Sequence, residues 1–475
     1  MSTTAESVNT PETDSNLSPH QSDIVFQLED RPPVLASFFA ALQHVLASIV
    51  GIVTPPIIIS NALGLDVSDA SYIISMTLFV SGVATFIQAK RFGPVGSGLL
   101  AVQGTSFAFL GPIIGAAIAV KNQADPQTAL AVVFGCVMAG AFIEIIISRF
   151  LHLAQKIITP VVTGVVVTLI GLTLIKVGLV SMAGGFYVMN NVPDAFASFQ
   201  NLGIAFLVLA IIVGLNMSKN QYLRMSSIVI GLAVGYAVAA SLGMVNFSTL
   251  ATLSPFMVPV PLKYGVDFSL GAFIAIGLIY VITAIESIGD LTATSMISKQ
   301  PVKGPVYMKR IKGGVLADGI NSFLAGFMNS FPNTTFSQNN GVIQLTGVAS
   351  RYVAYYIAAI LVLMGLSPML AGIFRIMPEP VLGGATILMF GTVAAAGVKI
   401  LSSQKLGNRE TLIIAVSLGL GLGVTMVPEV LDKFAPPEIK NVFSSGITTG
   451  GLSAIVLNLL LPHRAPSTEA AEESV

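Results

Sequence analysis

Asn329–Val348 reads NSFPNTTFSQNNGVIQLTGV, and Gly93–Pro112 reads GPVGSGLLAVQGTSFAFLGP. Each stretch lies between long apolar runs and is apolar enough to share their surroundings, yet each is interrupted by glycine, proline and uncharged polar side chains. Backbone that leaves a helix at membrane depth exposes N–H and C=O groups that lipid cannot satisfy, so it persists only where protein or a water-filled cavity surrounds it. A solute would sit at such a place. If both stretches are crossings, helices resuming near Phe107 and Asn339 would point free N–H groups and positive dipole ends at that solute.

The rest of the chain supplies the membrane context. Of 475 residues 54% are hydrophobic and 10% are charged, against roughly a quarter charged in a soluble domain; mean hydropathy is +0.84. A span needs about 20 apolar residues at 1.5 Å rise. Continuous runs near 34–52, 71–89, 129–148, 157–178, 204–217, 225–243, 270–296, 313–328, 352–370, 380–398, 411–427 and 445–461 meet that need. With the two interrupted stretches as the third and tenth crossings the count is fourteen, which predicts an all-α polytopic membrane protein.

The positive-inside rule tests the count. With a cytoplasmic N-terminus the inner loops hold Lys90, Arg91, Arg149, Lys156, Lys219, Arg224, the cluster Lys299, Lys303, Lys309, Arg310 and Lys312, then Arg351, Lys399, Lys405 and Arg409. The outer loops hold only Lys121, Lys263, Arg375, Lys433 and Lys440 as scattered cations. Omitting either interrupted stretch would invert every later loop and scatter this bias.

The halves echo each other. Pro160, Val161, Gly164 and Gly171 recur at a constant offset as Pro380, Val381, Gly384 and Gly391, and Leu207, Ala210, Gly214 and Leu215 recur as Leu412, Ala415, Gly419 and Leu420. Gly and Leu are common in membrane helices, so chance competes with ancestry here. Seven crossings per half force inverted repeats, a transporter arrangement whose binding site lies between the repeats at the discontinuous helices. The expected organisation is a disordered cytoplasmic tail at 1–30, a first repeat at 31–245, a second at 246–462 and a cytoplasmic tail at 463–475. The polar N-terminal residues lack the basic start and short apolar core of a cleaved signal peptide.

Several function classes find no support. A formal charge of zero leaves no electrostatic footprint for nucleic acid, and the lone Cys136 allows neither a disulfide framework nor a thiolate metal cluster. His20, His44, His152 and His463 have no metal-ligand spacing, and neither a Walker loop nor a Gly-x-Ser-x-Gly elbow occurs, so no metal, cofactor or enzyme is expected. The glycines at 419, 421 and 423 fit close helix packing better than nucleotide binding. Composition alone leaves a passive channel open.

Ionisable residues inside a membrane are costly and are functional candidates by default. Glu286 and Asp290 stand four apart on the eighth span, on one helical face, and Asp318 lies in the ninth. Glu286 reads as a ligand or as a carboxylate paired for structure. Asp290 and Asp318 read as proton handlers or as hydrogen-bonded scaffolding, and His44 as a core histidine or a functional one. Glu144 lies near Arg149, which suggests a structural pair at the membrane surface.

The segment QNNGVIQLTG, Gln338 to Gly347, resembles the signature of the nucleobase-ascorbate transporter family, Gln/Glu-Asn-x-Gly-x-x-x-x-Thr-Arg/Lys/Gly. AIESIGDLTAT around Glu286, KGGVLADG around Asp318, GVASRYV after the signature and LQHVL around His44 support it, so the resemblance spans Leu28 to about Pro462 and is most similar to bacterial xanthine permeases. It implies that Glu286 and Gln338 hold a base. A carboxylate accepts from ring N–H groups, and an amide donates and accepts along a purine edge. It further implies backbone contacts at Ser337 and Phe107, with the Phe107 ring stacked on the base. Asn339 would orient the half-helix, Asp318 and Asp290 would serve coupling and site organisation, and His44 affinity. The family has core and gate domains and assembles as a homodimer in the cytoplasmic membrane. Gln338 and Gly347 fit the xanthine branch over uracil, fungal purine and ascorbate relatives. Ser106 stands where some selective xanthine carriers have Asn, which would widen the pocket toward urate or substituted xanthines. The expected function is proton-coupled xanthine uptake, with urate or broader purine and uracil transport as the alternative.

Overall fold

The structure is a computed structural model describing residues 24–121, 125–151, 159–220, 223–224, 226–402, 406–431, 443 and 445–462. Residues 1–23 of the tail expected at 1–30, the tail expected at 463–475, His20, His152 and His463, and the loop cations Lys156, Lys405, Lys433 and Lys440 lie outside the described residues.

In chain order the helices and strands are α1 (Val34–Leu63), α2 (Val67–Lys90), β1 (Gln103–Thr105), α3 (Leu110–Lys121), α4 (Pro126–Arg149), α5 (Pro160–Met182), α6 (Gly185–Asn191), α7 (Phe199–Asn216), α8 (Ser227–Ser241), α9 (Leu270–Ile297), α10 (Gly304–Phe327), β2 (Asn333–Thr335), α11 (Gln338–Thr346), α12 (Val353–Gly365), α13 (Pro368–Arg375), α14 (Glu379–Ser402), α15 (Asn408–Met426) and α16 (Gly446–Leu460). Among the described residues eight helices are long and apolar enough to cross a membrane, or nine if α12 and α13, bent by 81°, form one span. Helix starts follow local chemistry. Asp66 accepts from Asp69 N at 2.7 Å and Asp125 from Thr128 N at 2.8 Å, and Pro126 and Pro160 occupy first-turn positions where no N–H is needed.

Two boundaries differ from the hydropathy reading. α10 begins at Gly304, well before the apolar run, because Lys309, Arg310 and Lys312 lie on its first turns and mask its helical start. The run 352–370 is broken at Leu366 and Ser367 before Pro368, whose ring disfavours helix in the preceding residue. The interruptions themselves hold more than broken helix: β1 and β2 pair antiparallel, with Gln103 opposite Thr335, Gly104 opposite Thr334 and Thr105 opposite Asn333. Among the described residues, an otherwise helical chain thus carries one short two-stranded ribbon joining its two irregular stretches.

Packing sorts the helices into two groups. In one, α2 lies along α12, α10 along α4, and α1 and α9 against α12 and α4 respectively. In the other, α5 lies along α14, with α7, α8, α15 and α16 around them. Small residues bring these axes together. A Cβ at Gly82 would lie 2.7 Å from the Ala358 carbonyl oxygen, and one at Gly326 3.0 Å from that of Phe134. α5 and α14 run antiparallel at backbone contact, with Gly164 against Leu401, Gly171 against Ala394 and Met182 against Gly383.

Candidate functional site

The ribbon sets the site. Ser106 N donates to Pro332 O at 2.9 Å and Phe336 N to Val102 O at 3.0 Å, extending the pairing on both sides of the strands. Gly104 allows this approach: a Cβ there would lie 2.5 Å from the Phe336 ring and 2.7 Å from Ile52. From the ribbon the chain turns into a short helix on each side. Ser106 Oγ accepts from Ala108 N at 3.3 Å and opens the 3-10 turn Phe107–Phe109 that leads into α3. Ser337 precedes α11 without capping it by its side chain.

Instead, Ser337 Oγ donates to Asp290 Oδ1 at 2.6 Å, and Thr335 Oγ1 to Asp290 Oδ2 at 3.4 Å. Asp290 on α9 therefore holds the corner between β2 and α11. Asn339 does the same from the other side, its Nδ2 donating to Leu100 O at 2.6 Å. The neighbouring Asn340, which the sequence reading did not single out, accepts from Thr294 Oγ1 at 2.7 Å and ties α11 to α9 again.

Around this corner the otherwise buried interior opens. Ser337 is exposed, and Gln338, Phe107, Glu286 and Asp290 are partly so, although Phe336, Asn339, Ser106, Ala108, Ile285 and Ser287 beside them are buried. The Phe107 ring meets Phe390 of α14 edge-on at 5.2 Å, and a Cβ at Gly289 would lie 3.3 Å from the Thr163 methyl on α5. The opening thus lies where the two helix groups meet. Glu286, one turn before Asp290, keeps Oε2 buried and without a hydrogen-bond partner among the described residues. A carboxylate acceptor, an amide and an aromatic ring that share one partly exposed region suit a planar, N–H-rich ligand.

Asp318 and His44 stand away from the opening. Asp318 is fully buried and accepts from Ser287 Oγ and, at 3.2 Å, from Gln88 Nε2. Gln88 in turn accepts from Ser97 N at 3.0 Å. Ser287 Oγ also lies 3.4 Å from Thr334 Oγ1, so Asp318 reaches the ribbon through one hydroxyl. His44 is buried, with neither ring nitrogen hydrogen-bonded among the described groups, and has Asn339 as a polar neighbour. One expectation is corrected: Glu144 does not pair with Arg149. Its carboxyl is buried and turned inward, while Arg149 is exposed, because four residues of helix after Glu144 carry the chain to the membrane surface. No group of three or more His, Cys, Asp or Glu among the described residues is arranged to hold a metal ion.

Residues 35–430 match the sequence model Xan_ur_permease of a permease family. The chain belongs to this nucleobase-ascorbate transporter family. It is 52% identical over 443 residues to the xanthine permease XanP of Escherichia coli K12, covering 93% of this chain and 95% of the relative. It is 44% identical over 459 residues to the xanthine permease XanQ of the same organism, covering 95% and 98%. Among solved structures, the transmembrane domain of the cyanobacterial bicarbonate transporter BicA superposes with a TM-score of 0.57 at 14% identity, covering 91% of this chain and all of that one. That likeness concerns the fold. The family member is therefore a multi-pass membrane permease similar to two xanthine permeases.

Proposed function

We propose that the protein imports xanthine together with a proton across the bacterial cytoplasmic membrane. The observation that carries this reading is the convergence of Glu286, Gln338, Ser337 and Phe107 on one opening between the two helix groups. Glu286 accepts from the ring N–H groups of the base, Gln338 pairs with its edge, the backbone at Ser337 and Phe107 completes the contacts, and the Phe107 ring stacks on its face. Ser106 leaves the pocket wide enough for urate as a second substrate. Asn339 and Asp290 hold the half-helix, and His44 supports it from behind. Asp318, linked to Glu286's helix through Ser287, exchanges the coupling proton. An anion such as bicarbonate would meet the Glu286 carboxylate, so sharing a fold with BicA does not extend to its cargo.

The architecture proposed with this function is fourteen crossings in two inverted repeats, 31–245 and 246–462. Exchanging equivalent segments supports it. The exchange carries the α2–α12 pair onto α10–α4, α1–α12 onto α9–α4, α15–α16 onto α7–α8 and α16–α5 onto α8–α14, and every one of these pairs is packed. The group holding both interrupted stretches serves as the core and the α5–α14 group as the gate; sliding of one on the other exposes the opening alternately to each side. Both termini lie in the cytoplasm, and the exposed apolar faces of α7 and α15 meet lipid and a second copy of the chain in a homodimer. No cofactor takes part.

The test is uptake of labelled xanthine by cells lacking their own purine-base carriers, with a competing panel of purines and pyrimidines. Accumulation abolished by collapsing the proton gradient, with xanthine the strongest competitor and urate next, is expected. Uptake indifferent to the gradient defeats the coupling, and stronger competition by uracil than by xanthine defeats the substrate assignment.

A further inference from the structure

Among the described residues, Glu144 is the one carboxyl buried in the helix group of the site that the proposed mechanism leaves unused. It lies on α4 at 1% exposure, and neither of its oxygens has a hydrogen-bond partner among the described groups. Its surroundings are fixed by close packing on both sides. Toward α9, the Tyr280 ring presses on Gly140, where a Cβ would lie 2.6 Å away, and Tyr280 OH donates to Val137 O at 3.0 Å. Toward α10, Gly319 meets the Ala141 carbonyl and Ile145 N of α4, where a Cβ would lie 3.2 and 3.0 Å away. Glu144 therefore sits at the seam of α4, α9 and α10. The titratable groups that face it are Asp318 on α10 and Glu286 and Tyr280 on α9, all within electrostatic range.

A structural role explains this poorly. A buried polar group without a partner costs about 1–3 kcal/mol, and a buried unpaired charge more; Gln or Leu would fill the same volume without that second cost. A carboxyl differs from those side chains in carrying an exchangeable proton. Asp318 has two donors to settle it, Ser287 and Gln88, whereas Glu144 has none.

We propose that Glu144 is a third proton-carrying residue of the transport cycle, sharing the coupling proton with Asp318 and Glu286. In each transfer an O–H bond breaks on one carboxyl and forms on a carboxylate oxygen of the next. The proton enters from water on the side where the base binds and leaves to water on the side where it is released. Nothing is oxidised or reduced. This inference rests on the proton-coupled reading of the site.

The decisive experiment reconstitutes the parent protein and Glu144→Gln into liposomes loaded with a pH-reporting dye. It follows proton entry, net xanthine uptake and xanthine–xanthine exchange over a range of external pH. The expected result is exchange within a few-fold of the parent, net proton-driven uptake lowered at least about tenfold, and a flattened pH profile. A variant whose proton entry and pH profile match the parent's overturns the inference alone. So does a variant whose exchange and net uptake fall in parallel, which marks a structural role. A parent that takes up xanthine without proton entry overturns the coupled reading, and this inference with it. If Glu144→Gln does not reach the membrane, Glu144→Asp, which keeps a carboxyl on a shorter stem, decides: a displaced pH profile with exchange retained supports the assignment, and an unchanged profile refutes it.

Discussion

The two interrupted stretches have the same backbone plan and opposite chemistry. Each runs from a three-residue strand into a short helix, and the strands pair with one another. In the first, the Ser106 hydroxyl is spent on capping, and the side chain left facing the opening is the Phe107 ring. In the second, Ser337 is withdrawn from capping by Asp290, and Gln338 and Asn339 follow it on the first turn of α11. Paired backbone is common to both stretches; the polar side chains at the opening are concentrated in one. The asymmetry fits a ligand with an apolar face and a polar edge, which needs a flat wall on one side and hydrogen-bonding groups on the other.

The largest effect is expected at Glu286, one turn before the Asp290 that holds the second stretch. Glu286→Gln replaces an acceptor-only group with one that also presents donors to the ring N–H groups of the base. Two charge-assisted hydrogen bonds are worth about 3–6 kcal/mol, so xanthine binding to the purified protein should fall by at least about a hundredfold. Parent-like binding would remove Glu286 from the ligand set and leave the comparison without its polar side.

Asp318→Asn separates what lies at the opening from what lies behind it. Asn keeps the shape and can still accept from Ser287, but carries no exchangeable carboxyl proton. Net proton-driven uptake should fall at least about tenfold while equilibrium binding stays within a few-fold of the parent. Equal losses in both measurements would bring Asp318 into the binding site itself.

Asn339→Ala tests the tie between the stretches. The Asn339 amide is buried and holds Leu100 O at 2.6 Å, so its removal leaves a buried carbonyl unsatisfied at a cost of about 1–3 kcal/mol. Because that bond positions the first turn of α11, xanthine affinity should drop about tenfold. A loss of thermal stability without any loss of affinity would make Asn339 scaffolding alone.

How much of this was legible in the sequence depends on whether a feature is local. The interruptions announced themselves by composition, and the spacing of Glu286 and Asp290 put both on one face of α9 because helical geometry links residues four apart. The ribbon was not legible: three residues such as Gln103–Thr105 are too short to show alternation, and their partner lies far along the chain. Polar residues inside helices were equally ambiguous. Thr292 and Thr294 each bond their own helix, at Ile288 O and Asp290 O, yet Thr292 also meets the Tyr307 hydroxyl on α10 whereas Thr294 reaches Asn340 on α11, and nothing in LTATSMI says which goes where. Glu144 was misread for a related reason: sequence proximity to Arg149 suggested a pair, but four residues of α-helix cannot say which side chain turns toward the core.

The smallest expected effect lies at the far ends of the half-helices, where the comparison concerns anchoring rather than recognition. The first, α3, ends at Lys121, whose Nζ donates to Leu63 O at 2.7 Å and so fastens it to the end of α1. The second, α11, ends at Gly347, held at φ +68°, and the carbonyl of that glycine accepts from both Val25 N at 2.8 Å and Phe26 N at 3.1 Å. The segment before α1 continues alongside, with Ala349 N donating to Phe26 O, Arg351 N to Leu28 O, and Arg351 pairing with Glu29 at 2.8 Å. Gly347→Ala puts a Cβ on a left-handed residue and should cost about 1 kcal/mol of stability. Since α11 is pinned at its other end by Asp290 and Asn339, the strain should stay at the exit. The thermal midpoint should therefore fall by a few degrees at most, with xanthine affinity unchanged. An affinity loss comparable to that of Asn339→Ala would mean that α11 moves as a rigid rod between its two anchors, and that the segment preceding α1 helps to position the base.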